Sequence, residues 1–286
     1  MTTTESEGLD REFLALESGP ELIFRVAQPV AEEEVVSSSM PAGPWLNGPS
    51  GRPLAGALGV LLDDVLGYAI MLRRPPGGWS VSVEISVDFC GPVPGNGEVL
   101  TAEGHNDYSD AAGGIASGSV TGAFGRLIAL FRQQGRWVSR APGATPASDT
   151  AEARADDAGA GTPVSGALPE DLTELLGTPS AGTDGSAYLD LAVTRAMVNP
   201  LGNLHGGITL CACDLVAQAA LDAVAGPSRT TSIHVAYPRP VPEGTAVRFE
   251  GRVLHRGRAF AITQVTALNE SGKPCVISTI STGAPA

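Results

Sequence analysis

Basic residues, and lysine above all, are scarce in this chain of 286 residues. Lys and Arg together number 18 against 31 Asp and Glu, Lys273 is the single lysine, and the formal net charge is -13. Nucleic acids and anionic membranes bind positively charged surfaces, so we expect neither as a partner. The sequence offers no run of about 18 apolar residues to span a bilayer. Residues 1–10 lack the basic and then apolar pattern of a signal peptide, so we expect a cytoplasmic protein.

Cysteine is also rare, and the sequence motifs of several enzyme classes are absent. The four cysteines, Cys90, Cys211, Cys213 and Cys275, have neither disulfide-framework nor metal-site spacing, so we expect free thiols. The G-x-S-x-G motif of α/β-hydrolases is missing. So are the G-x-G-x-x-G, P-loop and H-E-x-x-H patterns. We therefore expect an activity that needs no metal and no cofactor.

A composition change divides the chain into two parts of similar length. Residues 142–168 are mostly Ala, Gly, Pro, Ser, Thr and acidic residues without apolar periodicity, which is typical of a flexible linker. We therefore predict an N-terminal unit over residues 1–141, a linker over 142–168 and a C-terminal unit over 169–286.

The two predicted units share one order of elements. In the first, an apolar helix over 54–71 precedes an alternating strand over 81–89 and the corner Pro92-Val93-Pro94. In the second, an apolar helix after His205 precedes the alternating strand 233–237 and the corner Pro240-Val241-Pro242. This order predicts a duplication in which each unit is a long helix followed by an antiparallel sheet that can wrap it, an α+β fold.

The start of the second helix carries the most informative motif. His205-Gly206-Gly207 opens an almost wholly apolar helix, and such a helix is normally buried. Asp214 lies within it, and a buried carboxylate must be neutral, paired or held ready for chemistry. Glycines at a helix start also let a ligand approach free N–H groups where the macrodipole favours negative charge. Aligning Leu54-Ala55-Gly56-Ala57 with residues 204–207 matches Asp64 to Asp214.

The pattern Asn199-x5-His205-Gly206-Gly207-x6-Asp214, followed by Ser232 and Arg239-Pro240, resembles the PaaI-type branch of the hotdog-fold acyl-CoA thioesterases. The resemblance implies two tandem hotdog units, a double hotdog, with acyl-CoA as substrate. It implies that the Gly206 N–H polarises the thioester carbonyl and that an aspartate acts as general base or nucleophile. It further implies that Asn199 and His205 orient the thioester or the water and that Ser232 positions water.

Helix geometry divides these residues between two composite sites. Gly206 and Asp214 are separated by roughly 12 Å along one helix, so they cannot contact the same carbonyl group. If the units pair antiparallel, each glycine end meets the aspartate of the other unit. The expected members of the first site are Asn199, His205, Gly206 and Gly207 with Asp64, and those of the second are Asp214 and Ser232 with Gly56.

Several alternatives stay open at this point. Asp64 could be an exposed residue beside Asp63, and the counterpart of Ser232 is Glu84 or Ser82 depending on the alignment. The turn Arg256-Gly257-Arg258 suits the phosphates of coenzyme A, but it could equally be a solvated surface. A non-catalytic acyl-CoA or acyl-carrier binding protein is the main alternative function, and a hotdog dehydratase ranks behind it. The oligomeric state is open as well, with a homodimer of double-hotdog chains as one alternative.

Overall fold

The structure, a computed structural model, describes residues 19–139, 168–225 and 228–283. The signal-peptide prediction for residues 1–10 and nearly all of the predicted linker, 142–167, lie outside the described residues. The division into residues 1–141, 142–168 and 169–286 therefore stays a prediction.

The first part of the chain contains two helices and six strands. They are α1 (Pro20–Phe24), β1 (Val30–Glu32), β2 (Val35–Pro41), α2 (Gly59–Met71), β3 (Gly78–Phe89), β4 (Val99–Ser109), β5 (Gly113–Thr121) and β6 (Leu127–Ser139). A 3-10 turn over Ala55–Leu58 leads into α2, so the predicted helix over 54–71 begins with a tighter turn.

The second part again contains two helices and six strands. They are α3 (Leu172–Leu176), β7 (Ser180–Ala181), β8 (Ser186–Ala192), α4 (Gly206–Ala225), β9 (Arg229–Ala236), β10 (Ala246–Arg256), β11 (Phe260–Asn269) and β12 (Pro274–Gly283). The apolar helix expected after His205 is α4.

All twelve strands form one antiparallel sheet, which joins the two parts at its centre. β3 pairs with β9 from Glu84 opposite Ala236 to Asp88 opposite Ser232. Outward from this junction the strand order is β3-β6-β5-β4-β2-β1 on one side and β9-β12-β11-β10-β8-β7 on the other. The same order therefore runs in both directions from the middle of the sheet.

The two long helices lie against the sheet and against each other, and their side chains form much of the core. Both lack a charged face, and buried residues occur all round them. By length and composition, Gly206–Val224 of α4 would also suit a membrane span, in contrast to the expectation that no segment would. Within the fold 72% of this segment is buried, which is typical of a core helix.

Candidate active site

A tight loop places His205 at the entrance to α4. The side-chain oxygen of Asn199 accepts hydrogen bonds from the N–H groups of Leu201 (3.0 Å) and Asn203 (3.2 Å). The His205 N–H donates to the Met197 carbonyl at 2.9 Å. Asn199 thus shapes the loop that delivers His205, whereas the sequence suggested that it orients the substrate.

The imidazole of His205 lies between two carboxylates from α2. Its Nε2 is 3.2 Å from Asp64 Oδ1, and its Nδ1 is 3.3 Å from Asp63 Oδ2. Burial by itself lowers the pKa of His205. The hydrogen bond to Asp64 and the charges of both aspartates outweigh burial and raise that pKa to about 9. These contacts with the two carboxylates therefore favour the imidazolium form of the ring.

Asp63 faces the first turn of α4. Its Oδ2 accepts the Gly207 N–H at 3.1 Å, and its Oδ1 accepts the Ser82 hydroxyl at 2.8 Å. The Ser82 oxygen in turn accepts a hydrogen bond from the Gln133 amide at 2.9 Å. A Cβ built on Gly206 would lie only 2.6 Å from Asp63 Oδ2, so a side chain at this position would displace the Asp63 carboxylate. Ser82, Asp63 and Gln133 come from the first half of the chain, and the helix start comes from the second.

The backbone N–H of Gly206 has no hydrogen-bond partner among the described residues. The Gly206 carbonyl, by contrast, accepts the Tyr237 hydroxyl at 2.9 Å. The first N–H groups of a helix have no partner within the helix. A free donor therefore lies beside the Asp63 carboxylate, at the positive end of the α4 dipole.

Asp64 lies deeper and has one unsatisfied oxygen. Its Oδ2 is buried without a hydrogen-bond partner among the described residues. Burial, and then the nearby charge of Glu21 on α1, raise the pKa of Asp64 to about 7, although the His205 contact opposes them. A carboxylate oxygen of Glu21, one of Asp64 and a ring nitrogen of His205 lie within 4.8 Å of one another.

Asp214 occupies the second composite site, and both of its oxygens are engaged. Its Oδ2 accepts the Gly56 N–H at 2.7 Å, and its Oδ1 accepts the Thr230 hydroxyl at 2.6 Å. Gln218 donates to the Thr230 oxygen at 2.7 Å. Burial raises the pKa of Asp214 to about 6, against the opposing effect of these donors. Within the described ranges no imidazole contacts this carboxylate, because Leu54 stands before the Ala55-Gly56 turn.

These contacts correct the alignment of the two halves near the aspartates. Asp214 binds the Gly56 N–H and a strand hydroxyl, and Asp63 does the same with the Gly207 N–H. The counterpart of Asp214 is therefore Asp63, one residue before the expected Asp64.

The structure also corrects which strand residue supplies the hydroxyl that contacts each aspartate. Both β3 and β9 have a bulge, after Ser82 and after Thr230 respectively, which makes these two residues equivalent. The separation of Ser82 and Thr230 along the chain equals the separation of the two Pro-Val-Pro corners. The hydroxyl that contacts Asp214 therefore belongs to Thr230. Ser232 lies two residues further along β9, opposite Asp88 and Ser281.

The arginine turn lies far from the helix start. Arg256, Gly257 and Arg258 connect β10 to β11 and are exposed, and the Arg256 guanidinium donates to the Val224 carbonyl near the end of α4. Val224 and Gly206 are separated by roughly 27 Å along the helix axis. Binding of coenzyme A phosphates at this turn stays a prediction.

Asp63, Thr230 and Glu21 were not among the residues expected in the site, and Ser82 was considered only as one of two possible counterparts of Ser232. An Asp-Asp pair on an apolar helix was visible in the sequence, and so was the Pro-Val-Pro alignment that matches Ser82 to Thr230. No sequence pattern pointed to Glu21.

Comparison with known proteins identifies the second half of the chain. Residues 194–283 match the family model described as the acyl-CoA thioesterase N-terminal domain. This range contains the whole of α4, the loop that delivers His205, and strands β9 to β12. This part of the chain is therefore similar to the acyl-CoA thioesterases. The prediction that the chain is a hydrolase of the thioesterase class is confirmed.

Solved structures extend the likeness of fold over both halves. A structure described as an oleoyl thioesterase from Lactobacillus plantarum has a TM-score of 0.58 at 15% identity, covering 90% of this chain and 99% of that one. A structure described as a thioesterase from Novosphingobium aromaticivorans has a TM-score of 0.58 at 16% identity, covering 90% of this chain and 98% of that one. The 12:0-ACP thioesterase from Umbellularia californica has a TM-score of 0.56 at 10% identity, covering 87% of this chain and 93% of that one. At such identities the likeness establishes the hotdog thioesterase fold. A search of curated protein sequences found no match.

Replacing Asp214 by Ala should lower stability without stopping turnover. The change leaves the Gly56 N–H and the Thr230 hydroxyl buried without an acceptor, which costs about 3 kcal/mol of unfolding free energy. Denaturant unfolding measures this loss. Asp222→Ala, which changes an exposed aspartate on the same helix, is the control and should leave stability near that of the wild type. Loss of turnover in a folded Asp214→Ala protein would instead indicate that the catalytic site is the one that contains Asp214.

Proposed function

We propose that the chain hydrolyses acyl-CoA thioesters at the composite site formed by α2 and the start of α4. One observation carries this proposal: the free Gly206 N–H lies beside the Asp63 carboxylate. A helix-start donor suits the oxygen of a thioester carbonyl, because negative charge grows on that oxygen as the carbonyl carbon is attacked. The carboxylate supplies the base that such an attack needs.

In the proposed reaction, Asp63 takes a proton from a water molecule whose oxygen bonds to the carbonyl carbon. Ser82 fixes the orientation of the carboxylate, and Gly206 holds the oxyanion. The tetrahedral intermediate then collapses with cleavage of the carbon–sulfur bond. In its imidazolium form, which the two aspartates favour, His205 can donate a proton to the departing thiolate.

The proton balance closes within the site. After collapse, Asp63 carries the proton taken from water and His205 has lost one. Their facing atoms are 3.3 Å apart, so the proton can return directly from Asp63 to His205. The products are the free acid and coenzyme A, and the acid releases its own proton to solvent. Asp64 acts in this scheme through His205, whose imidazolium it stabilises.

We propose further that the two halves are tandem hotdog units derived by duplication and that one composite site works. The mirrored strand order and the equivalent Asp63 and Asp214 contacts support this interpretation. Among the described residues no imidazole contacts Asp214, so its site lacks a proton donor for the leaving thiolate, and we assign it a structural role. The cytoplasmic location and the homodimer remain predictions, and size-exclusion chromatography with light scattering would test the latter.

The test is thiol release by the purified full-length chain from a panel of acyl-CoA thioesters of short, medium and long chain and of aromatic type, with acyl-carrier-protein thioesters beside them. We expect turnover of at least one acyl-CoA in the presence of EDTA. No thiol release from any substrate by protein with a native circular dichroism spectrum would refute the proposal. Saturable acyl-CoA binding without turnover would then establish the binding-protein alternative.

A further inference from the structure

The short helix α1 brings a third carboxylate to the His205 site. Glu21, in its first turn, is half-buried, and a carboxylate oxygen of Glu21 lies within 4.8 Å of an oxygen of Asp64 and of a ring nitrogen of His205. α1 packs against α2 and also against the Arg195–Met197 turn that precedes His205. Glu21 therefore reaches the site where the two halves of the chain meet.

The segment around Glu21 is held firmly in place. Ile23 and Phe24 are buried in the core below α1. The N–H groups of Arg25 and Val26 close the helix, with Val26 donating to the Glu21 carbonyl at 2.8 Å. The chain then attaches to β2, because the Ala27 N–H donates to the Ser39 carbonyl at 2.7 Å. The Glu21 side chain thus extends from a backbone fixed at both ends.

This arrangement places more negative than positive charge around one imidazole. The titratable groups that face His205 or its partner Asp64 are Asp63, Asp64 and Tyr68 of α2 and Glu21 of α1. His205 is the one cation among them. Each carboxylate favours binding of a proton by its neighbours, and at distances below 5 Å in a buried site this effect is large.

We propose that Glu21 is a positioning residue that keeps the buried Asp64–His205 pair protonated. Its charge strengthens the hold of the pair on its proton, so that the imidazolium persists at the pH where it must protonate the leaving thiolate. The catalytic part of this inference rests on the proposed function. The electrostatic part does not depend on it.

The test replaces Glu21 by Gln, which keeps the shape and removes the charge, and follows His205 by NMR of histidine-labelled protein in EDTA. The chain has four histidines, so comparison with His205→Asn assigns the signal. We expect the pKa of His205 to fall by about one unit, since a carboxylate that stabilises the imidazolium is lost. The pH at which kcat/KM falls on the alkaline side of its profile should decrease by the same amount. Glu32→Gln removes an exposed carboxylate on β1 and should move neither.

The two readouts separate failure of this inference from failure of the proposed function. An unchanged His205 titration in folded Glu21→Gln would overturn the role of Glu21, whatever the activity. Reduced activity with an unmoved pH limb would also overturn it, because that pattern indicates a merely structural part. A shifted titration in a chain that hydrolyses no thioester would uphold the electrostatic role and refute the thioesterase proposal alone.

Discussion

Replacement of Asp63 by Asn is expected to lower kcat by about a thousandfold, within the range found for loss of a general base. The amide oxygen can still accept the Ser82 hydroxyl, and the side chain keeps its size, so the fold should persist. What is lost is the carboxylate beside the free Gly206 N–H. Steady-state thiol release under saturating acyl-CoA measures the effect, and circular dichroism checks the fold.

Asp64→Asn is the matched comparison, one residue further along the same helix. Asp64 acts through His205, so this variant should lose less activity than Asp63→Asn. Its high-pH limb should also move down, because the imidazolium loses its hydrogen-bonded partner. The reverse order, with Asp64→Asn inactive and Asp63→Asn active, would restore Asp64 as the carboxylate that reacts, as the sequence suggested.

Much of the architecture follows from local pattern. The apolar helix after His205, the alternating strand at 233–237 and the repeated Pro-Val-Pro corner each predicted an element that the structure contains. The rise of the helix also showed that Gly206 and Asp214 must serve different pockets. These inferences succeeded because burial on a helix and alternation on a strand are recorded residue by residue in the sequence.

The position of the aspartate could not be read in the same way. Asp63 and Asp64 are adjacent, and successive helix residues point about 100° apart, so choosing between them needs the exact alignment of the two helices. The N–H that contacts the aspartate is that of Gly56 in one half and that of Gly207 in the other. The sequence prediction instead aligned Gly56 with Gly206, the first of two adjacent glycines, and nothing in the sequence distinguishes the two. Counting from Ala55 as the counterpart of His205 therefore led to Asp64, one residue too far.

Glu21 was invisible for a different reason. Its segment has no apolar periodicity, and it reaches the site only because α1 packs on two elements that are distant in sequence. Such tertiary placement has no counterpart in a motif. The same holds for Ser82, which is one of several serines on an alternating strand until the bulge identifies it as the partner of Asp63.

The second large effect is expected at the crossing of the two helix starts. Gly207 and Gly59 touch through their backbones: a Cβ on Gly207 would lie under 3.0 Å from the Gly59 carbonyl and the Val60 nitrogen. Backbone atoms cannot turn aside as a side chain can. Gly207→Val should therefore force the helices apart and cost about 3 kcal/mol or more of unfolding free energy. We expect Tm to fall by about 6–10 °C, measured by calorimetry.

Gly67→Ala provides the control, because it too adds a Cβ to a glycine in a core helix. The nearest atom to that Cβ would be the Gln133 amide nitrogen at 3.9 Å, an ordinary contact. Alanine also restricts the unfolded chain, so this variant should gain about 0.5–1 kcal/mol. Equal stability of Gly207→Val and Gly67→Ala would show that α2 and α4 do not meet at this crossing. The composite site, which depends on the approach of Asp63 to Gly206, would then lose its structural basis.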